Sequence, residues 1–135
     1  MLTRHPLHAT ARITWLVASA WCGLAVFDLA LIWGFAGVHE SIRACPVKPR
    51  RTMSPSVEDI VWAVEEACVW YVKRAACLQR SSVATWLLRR NGVRADLVIG
   101  YRPVPFESHA WVEVEGLVVN DRPQYQRFFA VLERL

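Results

Sequence analysis

The stretch FESHAWVEVEGLVVND, residues 106–121, decides how the second half of the chain folds. Short runs rich in Val, Leu and Trp lie on both sides of Glu115-Gly116, a pattern that predicts two β-strands joined by a tight turn. His109 is the only histidine after residue 39, and it shares one face of the first strand with Trp111. The two glutamates of that face are expected to lie in solvent: Glu113 and Glu115.

The length of the turn determines which residue lies opposite His109. A three-residue loop with Gly116 in the left-handed region places Asp121 directly across from the histidine. A two-residue loop would pair Ala110 with Asp121 and turn the carboxylate to the other face. The three-residue loop is expected because glycine suits its last position, and Asp121 would then hold the imidazole in one tautomer.

Elements predicted upstream give an α+β fold class, with helices first and a small antiparallel sheet after them. A strand over residues 95–101 completes a meander of three, together with runs at 109–116 and 117–121. A helix is expected to begin at Ser54-Pro55, with Ser56 and Asp59 forming a capping box. A second helix is predicted over residues 75–93 and is expected to end at Asn91-Gly92.

Cys77 lies at the start of that second helix. The positive end of the helix macrodipole and the unpaired N–H groups of the first turn favour a thiolate there. A cysteine is also often a small buried apolar residue, so position alone does not make it a nucleophile. With His109 to remove the thiol proton and Asp121 to orient the histidine, the three residues form a candidate catalytic triad.

An apolar run over residues 13–38 is interrupted by one charge, Asp28, and has arginines before it at positions 4 and 12. Its length is sufficient to cross a bilayer, although a span would bury Asp28. The alternatives are a helix packed on the domain, which is favoured, or one packed on a partner protein. Prolines and basic residues at 45–56 predict a linker, giving a front segment of 1–53 and a domain of 54–135.

The formal charge of +4 belongs to the front segment, because residues 54–135 carry equal numbers of basic and acidic side chains. Nucleic-acid binding is therefore not predicted. Four cysteines without CxxC spacing predict reduced thiols in a reducing compartment such as the cytoplasm. No metal site and no cofactor are expected, since the Cys and His residues are not clustered.

Four motifs follow one another in the second half of the chain. They are Cys-Leu-x-Arg-Ser at 77–81, Leu-Leu-Arg-Arg-x-Gly at 87–92, Ile-Gly at 99–100 and His-Ala-Trp-Val-Glu at 109–113. With these motifs, residues 77–121 resemble the transglutaminase-like leader peptidases of lasso-peptide biosynthesis, cysteine proteases of the transglutaminase and papain-like superfamily. The resemblance is closest over about residues 75–123.

The resemblance implies a peptidase that removes the leader from a ribosomally synthesised precursor, with Cys77 as nucleophile, His109 as general base and Asp121 as its orienting partner. A separate asparagine-synthetase-like cyclase would then close the lasso ring. Larger members fuse a leader-recognition domain (a RiPP recognition element) to the peptidase, and residues 1–53 lack the strand alternation that such a domain needs. A separate leader-recognition protein is therefore the expected partner, and the apolar front is a candidate docking surface.

Four neighbouring residues have alternative interpretations. Trp111 is a candidate wall of a substrate groove, although a tryptophan in a strand is more often buried. Gln79 is a candidate oxyanion donor, but a backbone N–H near Cys77 is favoured. Arg80 and Ser81 are expected to cap the helix or face solvent.

Two other functions use the same fold. A non-catalytic scaffold would bind a leader peptide without cleaving it. A thiol acyl transferase would pass the acyl group to an amine rather than to water.

Overall fold

The computed structural model describes residues 7–135, with side chains from residue 10 onward. Arg4 and His5 therefore lie outside the described residues, as does the side chain of His8. The described helices and strands are, in chain order, α1 Leu7–Ile32, α2 Phe35–Ala44, α3 Val57–Val69, α4 Cys77–Arg90, β1 Asp96–Pro103, β2 Phe106–Val114, β3 Leu117–Val118, α5 Tyr125–Phe128 and β4 Ala130–Arg134.

The strands form one antiparallel sheet in the order β3-β2-β1-β4, and the four long helices precede it. This arrangement confirms the α+β fold class. The predicted three-strand meander is present, but its last strand is confined to two residues. A further strand, β4, was not predicted; it pairs with β1 and changes register between Ile99 and Gly100.

The turn between β2 and β3 is shorter than expected. Val114 pairs with Leu117, which leaves a two-residue loop of Glu115-Gly116 in which both residues have positive φ, 53° and 78°. Two-residue hairpin loops favour this left-handed backbone because its twist matches that of the strands. The prediction of a three-residue loop is therefore wrong.

The ladder between β2 and β3 also ends earlier than expected. Val119 still donates its N–H to the carbonyl of Val112, at 3.0 Å. The N–H of Val112, however, donates to the side-chain Oδ1 of Asn120 at 2.8 Å. The regular main-chain pairing therefore ends at this point, because the acceptor is a side chain. The alternation of side chains along β3 does not extend to Asp121, so its carboxylate does not have to face away from His109.

The helix starts and ends follow the capping pattern of the sequence, with one correction. Ser56 is the N-cap of α3, and its hydroxyl accepts a hydrogen bond from the N–H of Asp59 at 3.1 Å. Ser54, the alternative cap, lies outside the helix, where its hydroxyl accepts from the N–H of Arg51. As predicted, α4 ends before Gly92, which has a φ of 82°.

The main core lies where α1, α3 and α4 meet the sheet. Its largest fully buried side chains come from three helices and one strand: Leu24 of α1, Ile60 and Val64 of α3, Leu88 of α4 and Val112 of β2. The front helix is thus packed on the domain, which is the favoured alternative among those considered. The division into segments 1–53 and 54–135 stays a prediction.

One helix of the described residues, Thr10–Ile32, is long and apolar enough to cross a membrane by length and composition. A core helix of a soluble protein and a signal sequence near the N-terminus both meet the same criterion, and this helix buries one face while the rest of it is exposed or half-buried. Asp28, the single charge of the run, bonds Nζ of Lys73 at 2.7 Å and the hydroxyl of Tyr71. Both partners follow α3, so the charge helps to fix α1 against the domain.

Glu113 was predicted to face solvent, and the structure corrects this. Its side chain is only 2% exposed, and its carboxylate accepts hydrogen bonds from Trp111 Nε1, Gln126 Nε2 and Arg134 Nη1 at 2.8, 3.0 and 2.6 Å. Burial raises the pKa of Glu113, but these three donors together outweigh it and hold the pKa below its usual value. Gln126 belongs to α5, and Arg134 belongs to β4, which β1 separates from β2, so both side chains reach this face of β2 from other elements.

The substitution Glu113→Gln is expected to lower the free energy of unfolding by about 1–2 kcal/mol at pH 7, because charge-assisted hydrogen bonds are lost. A carboxylate whose pKa is lowered by folding stabilises the fold above its unfolded pKa, and this contribution is lost as pH falls through the folded pKa. The variant should therefore lose less stability than the wild type between pH 5 and pH 3, measured by urea unfolding. Glu115→Gln, in the exposed turn, is the control, and equal pH dependence in Glu113→Gln and wild type would contradict this role.

Candidate functional site

Cys77 is the first residue of α4, at the N-terminal end of the helix. The chain enters through Ala76, which is extended, and the first intrahelical bond runs from the N–H of Arg80 to the carbonyl of Ala76 at 2.9 Å. Alanine has no side-chain acceptor, so the first-turn N–H groups lack the cap that serine or aspartate would provide. Those N–H groups and the positive end of the helix macrodipole therefore lie beside Cys77.

The packing of α4 on β2 brings Cys77 close to the strand that carries His109. Cys77 is half-buried and packs against the small apolar cluster that contains Ala110. One turn further along α4, the buried hydroxyl of Ser81 donates to the carbonyl of Ala110 at 3.1 Å. Residues four apart lie on the same side of a helix, so this bond fixes the start of α4 against the residue that follows His109.

His109 and Asp121 are in direct contact, with Nε2 of the histidine 2.9 Å from Oδ2 of the aspartate. The preceding residue holds Asp121 in place, because Nδ2 of Asn120 donates to the hydroxyl of Ser81 at 3.0 Å. Oδ1 of Asp121 accepts from the N–H of Arg122 at 2.9 Å. Ser81 was expected to be a cap or to lie in solvent; instead it is buried and joins α4, β2 and the segment after β3.

The imidazole is held between aromatic side chains. Its centroid lies 4.4 Å from that of Tyr125, 5.8 Å from Phe129 and 6.3 Å from Trp111. Tyr125 and Phe129 belong to α5 and the residue before β4, elements that the sequence did not predict. These rings and the Asp121 carboxylate restrict both the position and the rotation of the imidazole.

This arrangement leaves one nitrogen of His109 available. A carboxylate only accepts hydrogen bonds, so the Nε2 that faces Asp121 carries the proton and Nδ1 is the basic nitrogen. Within residues 7–135, neither Nδ1 nor the Cys77 thiol makes a hydrogen bond. An imidazole in this tautomer is able to accept a proton from a thiol through Nδ1.

Arg80 is a site residue that the sequence reasoning missed. Its Nη2 lies 3.0 Å from Oδ2 of Asp121, the oxygen that His109 also contacts, and its Nε lies 3.4 Å from Oε1 of Glu65. It was expected to cap the helix or face solvent. The available signal was its spacing, because a residue three positions after Cys77 lies on the same side of α4.

Two other residues do not fill the candidate roles considered for them. Trp111 has no exposed surface, so it offers a substrate no contact in this structure; the ring lies beneath His109, and its Nε1 is used by Glu113. Gln79 is buried, and its Nε2 donates to the carbonyl of Leu24 at 2.9 Å. That amide therefore ties α4 to α1, and the first-turn N–H groups of α4 remain the candidate oxyanion donors.

Comparison with known protein families agrees with this architecture. The family model described as "Transglutaminase-like superfamily" matches residues 23–134. The chain belongs to the transglutaminase-like superfamily. The matched region contains α2 to β4 and with them all three members of the candidate triad.

Among curated proteins, the chain is similar to the microcin J25-processing protein McjB of Escherichia coli. The two are 39% identical over 62 residues, which is 46% of this chain. The aligned stretch covers only 30% of the relative's own length. No solved structure matches the chain significantly.

Proposed function

We propose that this transglutaminase-like protein is a cysteine peptidase that removes the leader peptide from a lasso-peptide precursor. The observation that carries the proposal is the His109–Asp121 contact through Nε2, which leaves Nδ1 as the basic nitrogen. The bond from Ser81 to the carbonyl of Ala110 supports it, because it holds the helix start that bears Cys77 against the strand of His109. The similarity to a microcin-processing protein, together with the motifs at 77–81 and 109–113, supports a precursor peptide as the substrate.

The chemistry follows from the positions of these groups. Nδ1 of His109 takes the proton of the Cys77 thiol, and the thiolate attacks the carbonyl carbon at the end of the leader. The first-turn N–H groups of α4 bind the oxyanion that forms, and Asp121 stabilises the imidazolium. The imidazolium then gives its proton to the departing amine, which is the new N-terminus of the core peptide.

The second half of the reaction releases the leader. His109, neutral again, removes a proton from water, and the resulting hydroxide attacks the thioester carbonyl. The carbon–sulfur bond breaks, the leader leaves with a free carboxylate, and the thiol regains its proton. Because this cycle needs a free thiol, it suits the reducing cytoplasm.

The proposed partners are the precursor, a separate leader-recognition protein and an asparagine-synthetase-like cyclase that acts on the released core. Docking of the recognition protein is proposed at the apolar outer face of α1, where Trp15 and Leu29 are exposed. The same face is the proposed site of any membrane association.

The test is mass spectrometry of a lasso-peptide precursor incubated with its leader-recognition protein and this chain in H₂¹⁸O. We expect two products, a core with a new N-terminus and a leader whose carboxylate carries one ¹⁸O atom. A leader joined to an added amine would instead identify an acyl transferase. A precursor that is bound but never cut would identify a scaffold.

A further inference from the structure

Two side chains from different elements contact Asp121 at one carboxylate oxygen. Nε2 of His109 and Nη2 of Arg80 lie 2.9 and 3.0 Å from the same Oδ2. The guanidinium comes from the helix that carries Cys77, whereas the imidazole comes from the sheet. We propose that Arg80 is a positioning residue that fixes Asp121 for His109 and withdraws part of its negative charge; this inference rests on the proposed peptidase function.

The burial of these three groups makes their arrangement specific. The side chains of Asp121, His109 and Arg80 are 15%, 16% and 26% exposed, so water competes little for Oδ2. Nε of Arg80 is buried without a hydrogen bond, and the nearest carboxylate to it is that of Glu65. Arg80 is therefore held between two carboxylates, one on α3 and one at the site.

Several ionisable groups surround Arg80. They are Glu65 and Cys68 on α3, Asp121 after β3 with His109 of β2 on the same oxygen, and Cys77 on the same side of α4. Burial raises the pKa of Glu65, and Arg80 opposes that rise. A guanidinium beside Asp121 also competes with the imidazolium for the same oxygen, since both donate to Oδ2.

Removal of the charge has two separable consequences. Asp121 loses one of the two side chains that hold its carboxylate. The imidazole then has its catalytic orientation in a smaller fraction of molecules, and kcat falls. The loss of a positive charge also favours protonation of the groups near it, which moves both limbs of the pH dependence of kcat/KM to higher pH. KM stays close to that of the wild type, because Arg80 acts on Asp121 and not on the substrate.

The experiment compares Arg80→Gln, Arg80→Lys and the control Arg90→Gln, in which an exposed arginine of the same helix is changed. Cleavage of the precursor is measured from pH 5 to pH 9 with the recognition protein present. The rate of Cys77 alkylation by iodoacetamide is followed in parallel by peptide mass mapping. Urea unfolding of each variant shows whether it is folded at the assay temperature.

For Arg80→Gln we expect kcat to fall about tenfold or more, because one charge-assisted hydrogen bond is lost. The pH profiles of cleavage and of alkylation should both move to higher pH. Arg80→Lys should keep the wild-type profile while kcat stays lowered, and Arg90→Gln should match the wild type. A folded Arg80→Gln with wild-type kcat and profile would overturn the inference. So would a fall in kcat with both profiles unmoved, which indicates a merely structural role, or a change in KM alone.

Failure of the proposed function would look different in the same experiment. If the wild type does not cleave, the peptidase proposal fails whatever the variants do. The alkylation profile then still reports on Arg80, because it depends only on the thiol and the groups around it. An unmoved alkylation profile in a folded Arg80→Gln would overturn the inference in that case as well.

Discussion

Replacement of Cys77 by alanine is expected to abolish leader cleavage, with a rate at least about 10³-fold below that of the wild type. In the proposed mechanism the thiol is the nucleophile: it lies at the start of α4, which packs on the strand whose histidine keeps Nδ1 unbonded. Neither His109 nor Asp121 is able to replace it as a nucleophile that forms a thioester. The measurement is a time course of precursor, leader and core by mass spectrometry.

Cys68→Ala is the matched control. Cys68 is also half-buried, but it lies on α3, where burial and then Glu65 raise the pKa of its thiol, with Arg80 opposing them. This variant should cleave within about threefold of the wild type, and both alanine variants should unfold within about 1 kcal/mol of it. Cleavage by Cys77→Ala at the wild-type rate would eliminate the thiol peptidase proposal.

The sequence placed the α+β architecture and several helix ends correctly because these features depend on local chemistry. Ser56 caps α3 and Gly92 ends α4, each through a backbone requirement that the residue type alone expresses. The front helix was also predicted from a local pattern, since its apolar residues include those that pack against α3 and α4. The sequence did not predict the partners of Asp28, Lys73 and Tyr71, which lie in the segment after α3 and are distant from it in sequence.

The contact between His109 and Asp121 was expected for a reason that proved wrong. The three-residue loop was meant to place the two residues opposite each other, yet the loop has two residues. They meet because Asn120 takes the place of a strand carbonyl and releases the chain from the ladder. A rule of alternation has no means to predict where a side chain will end a ladder, so the register argument did not extend to Asp121.

The remaining differences between prediction and structure involve contacts between residues that are distant in sequence. Glu113 and Trp111 were assigned by the alternation of one strand, but side chains of α5 and the side chain of Arg134 from β4 reach that face, and both residues are buried. Arg80 was missed because its partner follows β3, some forty positions later in the chain. Long-range pairs of this kind follow from the topology, which no local pattern of the sequence contains.

Arg89→Met is expected to lower the free energy of unfolding by about 3–5 kcal/mol, among the largest effects of any single substitution. Arg89 is 6% exposed, and its guanidinium donates only to main-chain oxygens. They belong to Ala95, Ile42, Cys45 and Leu135, at distances of 2.9, 2.6, 3.3 and 2.8 Å. One side chain thus joins the end of α4 to the end of α2, the residue before β1 and the residue after β4.

Methionine fills much of the same volume but donates no hydrogen bond, so those oxygens lose a partner in a buried place. Leu135 and Ile42 keep other donors, the N–H groups of Leu97 and Cys45, whereas Ala95 has no second bond among the described residues. Each buried acceptor left without a partner costs about 1–3 kcal/mol.

The measurement is the urea midpoint of unfolding at pH 7, with the slope m checked for constancy so that the midpoint reports stability. Arg90→Met, one position along the helix, is the control: Arg90 is exposed and lies over the ring of Trp86, and its loss should cost less than about 1 kcal/mol. Equal midpoints for the two variants would mean that the four carbonyls find water or other donors when Arg89 is absent. A large loss confined to Arg89→Met, with Arg89→Lys intermediate, would show that the planar fork of the guanidinium, and not charge alone, holds these elements together.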